Sequence, residues 1–386
     1  MGIDQSMSAS TSDRKRALPA VFRRGSDVDI GKLLLEGRAF FALVLIIVVF
    51  SFLSPNYLTV SNVLTMSEHV AIYAILSVGM LIVILNGGID LSVGSTLGLS
   101  GIVAGFLMQG VRLKALGVTL FPPVWVVVVA AIAVGALIGF VNGVLVSRFK
   151  VAAFVATLGT LYMIRGIALL ITNGLTYPDL NGKPELGNTG FSWLGFNSLA
   201  SVPIGVLVMI VIAIITSVVL NRTVFGRWLY SSGGNERAAE LSGVPVKRVK
   251  VRAYVASGVC AAIAGLITAS ELTSASPTAG SSYELTAIAA VVIGGAALTG
   301  GRGNIRGTLL GAFVIGFLSD GLVIVGVSAY WQTVFTGAVI VLAVLLNAVQ
   351  YRSRRKAPKD SDRSTTSSMP RDPAGAGDPA LEKTAS

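Results

Sequence analysis

Few residues in this chain are placed to do chemistry. Glu68, Asp90, Arg165 and Asp320 are ionisable groups within or at the edge of long apolar runs. The sharpest polar interruption is Asn86-Gly87-Gly88-Ile89-Asp90-Leu91-Ser92-Val93-Gly94-Ser95. Its glycines permit a tight turn, and Asp90, Ser92 and Ser95 stand at the entry to the next apolar run. Two readings fit. Asp90 can cap a helix at a helix–helix turn, or a carboxylate with nearby hydroxyls can line a polar path through an apolar medium. Asp320 lies most centrally in an apolar run, between Leu318 and Leu322, where a charge should pair or face a wet cavity. No constellation is catalytic. The sequence contains no G-x-x-x-x-G-K-[ST] phosphate loop, so the chain is not expected to hydrolyse ATP. His69 is the only histidine and Cys260 the only cysteine. That leaves no metal site built from several histidines or cysteines.

A second informative stretch is polar, from Asn221 to Arg252. It holds Arg222, Arg227, Arg237, Lys247, Arg248, Lys250 and Arg252. At its centre, Asn235 is a good N-cap, Glu236 complements the helix dipole and Gly243 is a natural stop. Only about two turns fit between these signals, and an isolated helix shorter than about 12 residues is marginal in water. A short helix bracketed in this way suggests a docking element for a soluble partner. The plainer reading is a loop whose charges only fix topology.

The elements that must position these groups are apolar. The chain is 53% hydrophobic and 13% charged, with a mean hydropathy of +0.77. A soluble domain carries about 25% charged residues. Apolar segments lie near 39–54, 69–87, 91–109, 122–146, 152–172, 202–220, 252–270, 285–299, 307–326 and 329–350. Segments 39–54 and 285–299 are short for a straight span and could be re-entrant. The expected fold is all-α, a polytopic membrane protein of about ten (eight to ten) transmembrane or re-entrant helices.

Charge sets the topology. With the N-terminus in the cytoplasm, alternation puts 26 of the 30 basic residues on that side. Only Arg112, Lys114 and Lys183 fall opposite, and Arg165 lies in a span. The asymmetry predicts an even number of spans with both termini cytoplasmic. The net charge of +11 is therefore a topology signal, and nucleic acid, which needs a clustered basic face, is not an expected partner. Three regions follow: a cytoplasmic tail over 1–38, expected to be disordered, a membrane domain over 39–351 with the polar loop 221–252, and a second disordered cytoplasmic tail over 352–386. The long opposite-side loops, 173–201 and 271–284, are either connectors or surfaces for a soluble partner.

Small residues recur every four positions at Gly101 and Gly105, at Gly135, Gly139 and Gly143, at Ser257, Ala261 and Gly265, and at Gly307 and Gly311. This spacing lets helix backbones approach closely in lipid. Gly294–Gly295 and Gly300–Gly301–Gly303 suggest broken helix ends.

Five ordered blocks carry a family resemblance. NGGIDLSVGS at 86–95, VAAFVATLGTLYMIRGIALLITNG at 151–174, SGGNERAAELSGVPVKRVKVRAY at 232–254, PTAGSSYELTAIAAVVIGGAALTGGRGNIRGTLLGAF at 277–313 and GVSAYWQTVFTGAVIVLAVLLN at 326–347 resemble the membrane permeases of bacterial ribose, xylose and galactoside ATP-binding cassette importers. The likeness covers roughly residues 40 to 350. It departs at Asp320, where an uncharged polar residue such as Asn is expected, and at both long tails.

The resemblance implies a permease subunit in the bacterial cytoplasmic membrane that translocates a monosaccharide. It implies an ATPase subunit inside, an extracytoplasmic sugar-binding protein outside and a second permease copy, so a homodimer within the bilayer. ATP and Mg would bind the partner; this chain would bind no cofactor. The coupling helix would comprise Asn235, Glu236, Arg237, Ala238, Ala239, Glu240, Leu241, Ser242 and Gly243. Ala238 and Leu241 would share the face that enters a groove of the ATPase, with Glu236, Arg237 and Glu240 at its rim. Asn86, Asp90, Ser92, Ser95, Asn142, Thr157 and Asn173 would line the substrate pathway, because hydroxyls and amides exchange donors and acceptors with a neutral polyol. Alternatives are the same machine carrying a nucleoside, an autoinducer sugar or a branched-chain amino acid, and, further off, a secondary transporter coupled to an ion gradient through Asp90 or Asp320.

Overall fold

The computed structural model describes residues 37–113 and 117–355. The two expected tails lie outside these residues except for positions 37, 38 and 352–355. Within them the chain is overwhelmingly helical. In chain order the helices are α1 (Arg38–Leu53), α2 (Val60–Leu85), α3 (Val93–Met108), α4 (Val124–Ser147), α5 (Ala153–Thr172), α6 (Trp193–Phe196), α7 (Ile204–Arg222), α8 (Val224–Gly234), α9 (Glu236–Leu241), α10 (Val246–Glu271), α11 (Tyr283–Ile293), α12 (Ile305–Ile324) and α13 (Ala329–Arg355). Helices α2, α4, α5, α7, α10 and α12 are long and apolar enough to cross a membrane, and four shorter apolar helices, α1, α3, α11 and the first part of α13, run beside them. This is the architecture of a polytopic membrane protein.

Burial separates the helices into two kinds. The apolar stretch of α2 is 83% buried and that of α4 only 22%. Val70 to Leu85 of α2 is an almost unbroken apolar run buried on nearly every side, as a helix surrounded by other helices must be. On α5, Tyr162, Met163 and Leu170 stay exposed, an apolar face suited to lipid. Helix α10 packs along α4, α2 and α3, while α12 lies against α11, α2 and α1.

The small-residue spacing explains how α10 comes so close. A Cβ added at Gly135 would strike the carbonyl of Gly258, one at Gly139 the carbonyl of Tyr254, and one at Gly265 the carbonyl of Leu97. Backbone meets backbone at these positions, which only glycine allows.

Two sets of connections gather at opposite ends. At one end, Gly301 N–H donates to Leu85 O at 2.9 Å and Tyr230 Oη to Gly303 O at 2.9 Å. At the other, Asn188 Nδ2 donates to Met108 O at 3.0 Å, Ser270 Oγ to Phe191 O at 2.7 Å, and Tyr177 pairs with Ala275 as a single β-bridge. Two small hairpins, Val111–Leu113 with Val118–Leu120 and Ser198–Leu199 with Val202–Pro203, and the short α6 add structure to connections the sequence presents only as polar.

The polar stretch 221–252 also differs from the expectation of a loop with one short helix, since it is helical almost throughout. Thr223 opens α8, its Oγ1 accepting from Gly226 N at 3.4 Å, and Leu229 is fully buried beneath it. Helix α10 then begins at Val246, six residues ahead of the apolar segment. Helix α2 likewise starts nine residues before its segment, because polar residues from Asn62 to His69 occupy its first turns.

The close approach of α4 and α10 makes a specific prediction. Gly258→Val places a side chain against the Gly135 carbonyl and should cost about 3 kcal/mol or more, seen as loss of monodisperse protein on size exclusion in detergent. Gly159→Ala, with open space around it, should leave the elution profile and unfolding midpoint unchanged or slightly improved.

Candidate functional site

The turn between α2 and α3 is tied to α10 through Asp90, and to α4 and α5 through its neighbours. Helix α2 ends at Leu85, and Gly87 takes a left-handed φ of 78° that reverses the chain at little steric cost. A Cβ at Gly88 would collide with the hydroxyl of Tyr254, so α10 presses directly on the turn. The Asp90 carboxylate is 1% exposed and accepts three hydrogen bonds. Ser92 N–H and Ser92 Oγ donate to Oδ1 at 3.0 and 2.7 Å, and Ser257 Oγ of α10 donates to Oδ2 at 2.9 Å. The cap position of α3 itself falls at Ser92; Asp90 stands two residues ahead and fixes the entry turn.

The network extends sideways. Asn142 Nδ2 on α4 donates to Ser92 Oγ at 2.8 Å, and Thr157 Oγ1 on α5 donates to Ile89 O at 3.2 Å. Tyr254 Oη reaches the same carbonyl at 3.4 Å. Ser95 Oγ donates to Ser92 O at 2.9 Å. Six of the seven residues singled out as pathway candidates, Asn86, Asp90, Ser92, Ser95, Asn142 and Thr157, therefore sit on or around one turn. Asp90, Ser92, Ser95, Asn142 and Thr157 are packed between helices. Asn142 Oδ1, Thr96 Oγ1 and Ser100 Oγ are buried there without a partner among the described residues. The seventh, Asn173, lies elsewhere. It closes the far end of α5 in a left-handed conformation, φ 51°, exposed and remote from the turn.

Below the turn opens a polar cavity of about 720 Å³, bordered by Asn86, Ser147, Lys150, Ser232, Glu236 and Thr299. Asn86 spans its wall, donating from Nδ2 to Ser232 Oγ of α8 at 2.6 Å. Burial pushes the Tyr230 phenol, also on α8, above its ordinary value; its proton is held by the Gly303 carbonyl.

Helix α9 closes the far wall. Asn235 Oδ1 accepts from Ala238 N–H at 3.0 Å. Gly243 at φ 82° ends the helix, with Val244 N–H returning to Ala239 O at 3.0 Å, a stop that satisfies the terminal carbonyls. Six residues cannot hold a helix alone, and tertiary contacts supply the rest. Ala239 is buried, and Lys250 Nζ of α10 donates to both Glu236 carboxylate oxygens at 2.8 Å. Arg237 and Glu240 pair at 3.6 Å on the outer surface. Ala238 is exposed and Leu241 is 76% exposed, so one apolar stripe of α9 faces away from the protein.

Tyr254, Ser257 and Ser232 belong to this site but were not among the sequence candidates. Ser257 carried a signal, since it opens a small-residue stripe, though that stripe reads as packing. Arg165 is accounted for at the opposite end, where Nη1 donates to Pro277 O and Ala279 O at 2.6 and 2.8 Å. Asp320 also finds a partner, His69.

A family model described as branched-chain amino acid transport system / permease component matches residues 60–344. The chain belongs to that permease family. It is 43% identical to the ribose import permease protein RbsC of Escherichia coli (strain K12) over 314 residues, covering 81% of this chain and 94% of the relative. It is equally 43% identical to RbsC of Bacillus subtilis (strain 168) over 310 residues, 80% of this chain and 91% of that one. The galactose/methyl galactoside import permease protein MglC of Escherichia coli (strain K12) is 32% identical over 328 residues, 83% and 96% of the two chains. No solved structure matches. Membership of the family together with six apolar helices makes this permease a multi-pass protein of the bacterial inner membrane.

Ser257→Ala withdraws a donor from the buried Asp90 carboxylate. It should lower stability by about 1.5–3 kcal/mol, read as a lower unfolding midpoint in nanodiscs. Combined with Asp90→Asn, the loss should be smaller than the sum of the two single losses, because the pair shares one interaction.

Proposed function

We propose that this permease carries a monosaccharide of the ribose class into the cell, as the membrane subunit of an ATP-binding cassette importer. Near-complete coverage of ribose permeases at 43% identity is the observation that carries the cargo. The family description alone would point to an amino acid; the lower identity to a galactose permease favours a sugar and puts a pentose ahead of a hexose. ATP and Mg belong to a separate ATPase subunit, and an extracytoplasmic binding protein delivers the sugar. Two copies of the chain form the pathway, each with about ten (eight to ten) transmembrane or re-entrant helices and both termini in the cytoplasm. The distribution of basic residues supports that orientation.

On this reading α9, with its flanking residues Asn235, Ser242 and Gly243, is the coupling element. Its exposed Ala238 and Leu241 enter a groove of the ATPase, and Arg237 and Glu240 meet the groove's rim. Closure of the ATPase dimer around ATP then pushes on α9. Two connections carry the push inward. Lys250 links Glu236 to α10, and the Ser232–Asn86 hydrogen bond links α8 to the α2–α3 turn. Movement of that turn would open the packed polar groups behind it, Asp90, Ser92, Ser95, Asn142 and Thr157, to a passing polyol. Asn173 would meet the sugar at the other end. A neutral polyol needs groups that both donate and accept, and serines, threonines and asparagines supply them.

Uptake of labelled ribose, xylose, galactose and leucine in cells bearing the native partners tests both levels. Ribose-class uptake should fall to background in Leu241→Asp while the variant reaches the membrane in normal amount. Uptake in Leu241→Asp equal to the unsubstituted protein would overturn the coupling role of α9. Uptake that vanishes on collapsing the ion gradient at constant ATP would replace the importer with an ion-coupled carrier. Leucine uptake alone would reassign the cargo. Alanine variants of the seven pathway residues should each lower sugar uptake at equal expression; normal uptake in all seven would sink that assignment.

A further inference from the structure

His69 faces a carboxylate with each of its ring nitrogens. Nδ1 lies 3.0 Å from Asp320 Oδ1, and Nε2 lies 3.6 Å from Glu271 Oε1. The three residues come from three helices: His69 from the first half of α2, Glu271 from the last position of α10, and Asp320 from α12. One imidazole therefore bridges three helices at the end opposite α9. The ring is 43% exposed and the carboxylates of Glu271 and Asp320 only 20% and 16%, so the imidazole is the most accessible member of the group.

The other groups nearby do not compete for the imidazole. Glu68, its neighbour on α2, adds a third negative charge. Tyr73 of α2 and Tyr283 of α11 meet edge to face with ring centroids 5.0 Å apart. Tyr57, from the α1–α2 connection, gives its proton to the Phe317 carbonyl at 3.0 Å. Asp320 Oδ2 is buried with no partner among the described residues, so the carboxylate depends on His69 for its hydrogen bond.

A neutral imidazole has one N–H and one lone pair; only the imidazolium donates from both nitrogens. In the neutral form the ring can serve one carboxylate, and it turns a lone pair toward the other. We propose that His69 is a proton-controlled tie that joins α2, α10 and α12 at the delivery end of the permease. With the proton bound, the tie is complete and the arrangement described here is held. Without it, the shorter Asp320 bond keeps the remaining N–H, and the Glu271 arm lets go. The end of α10 then loses its ion pair to α2, while the connection that follows stays held by the Tyr177–Ala275 bridge and by Arg165 on the Pro277 and Ala279 carbonyls. Histidine is the side chain whose ordinary titration range makes such a tie responsive near neutral pH. The tie is present below the midpoint and lost above it, because the proton favours the bridged state.

This chain's single histidine lets the tie be read directly. The full-length chain, labelled with ¹³C-histidine and placed in nanodiscs, is titrated from pH 5 to 9 by NMR. Spin labels at Leu272→Cys and Val325→Cys report the distance between the ends of α10 and α12 in the same range. The expected result is one histidine transition, lowered by about one pH unit in Asp320→Asn and by less in Glu271→Gln. The distance distribution should be narrow below that midpoint and broaden above it, and His69→Gln should show no pH response. Neither arm requires a cargo or a partner subunit, so the result is independent of the importer reading. A histidine that does not titrate, a midpoint unmoved by Asp320→Asn, a distance distribution constant with pH, or the same pH response in His69→Gln would each overturn the proposal.

Discussion

A carboxylate placed between helices in a lipid-facing bundle has no water to fall back on. Transfer of an unpaired charge into such surroundings costs several kcal/mol even after relaxation, so Asp90 dictates what may stand around it. Two of its hydrogen bonds come from Ser92, two residues on, and make the α2–α3 turn self-supporting. The third comes from Ser257, which can reach the carboxylate only if α10 lies close against the turn. That closeness rests in turn on glycines, with Gly88 receiving the Tyr254 hydroxyl and Gly135 and Gly139 receiving the backbone of α10. Satisfying one charge thus sets the distance between α10 and its neighbours, and the small-residue stripes are the means by which that distance is met.

Much of this was legible in the sequence, and the reasons for success and failure are local. Apolar runs located the spans because lipid rewards an unbroken run whatever its neighbours. Helix α9 was legible because its ends are written in side chains, Asn235 at one and Gly243 at the other. The turn at 86–95 was legible because glycine, aspartate and serine interrupt an apolar pattern. Helix α8 was missed because its stability comes from burying Leu229 and holding the Tyr230 hydroxyl, and both contacts are with distant parts of the chain. The first turns of α2 were missed because their polar side chains, which hydropathy reads as loop, bond to nearby carbonyls, Asn62 to Tyr57, Thr65 to Ser61 and Ser67 to Val63. Asn173, named with the other pathway candidates for its amide, lies apart from them at the far end of α5, a separation that residue type alone does not show.

The polar partnerships were illegible for a different reason. Ser257 lies 167 residues from Asp90, and Asp320 lies 251 residues from His69. No periodicity relates positions that far apart. What the sequence does show is the obligation, because a carboxylate within an apolar run must be paired. Asp320 announced that obligation without naming its partner.

Both polar centres engage the same two helices. Asp90 and Ser257 join α2's exit turn to α10 at the end near α9, and His69 and Glu271 join α2 to α10 at the other end. Between these points the two helices pack directly, with Gly79 of α2 seated against Ser257 and Cys260 of α10. Packed helices of this kind move as rigid bodies, because close-packed interfaces switch between arrangements instead of deforming smoothly. On the proposed coupling, a displacement that Lys250 imparts near the start of α10 would reach Glu271, 21 residues further along the same uninterrupted helix. On the proposed coupling, the α2–α10 pair would connect the face of α9 with the opposite end, held by a hydrogen-bonded carboxylate at one contact and by His69 at the other.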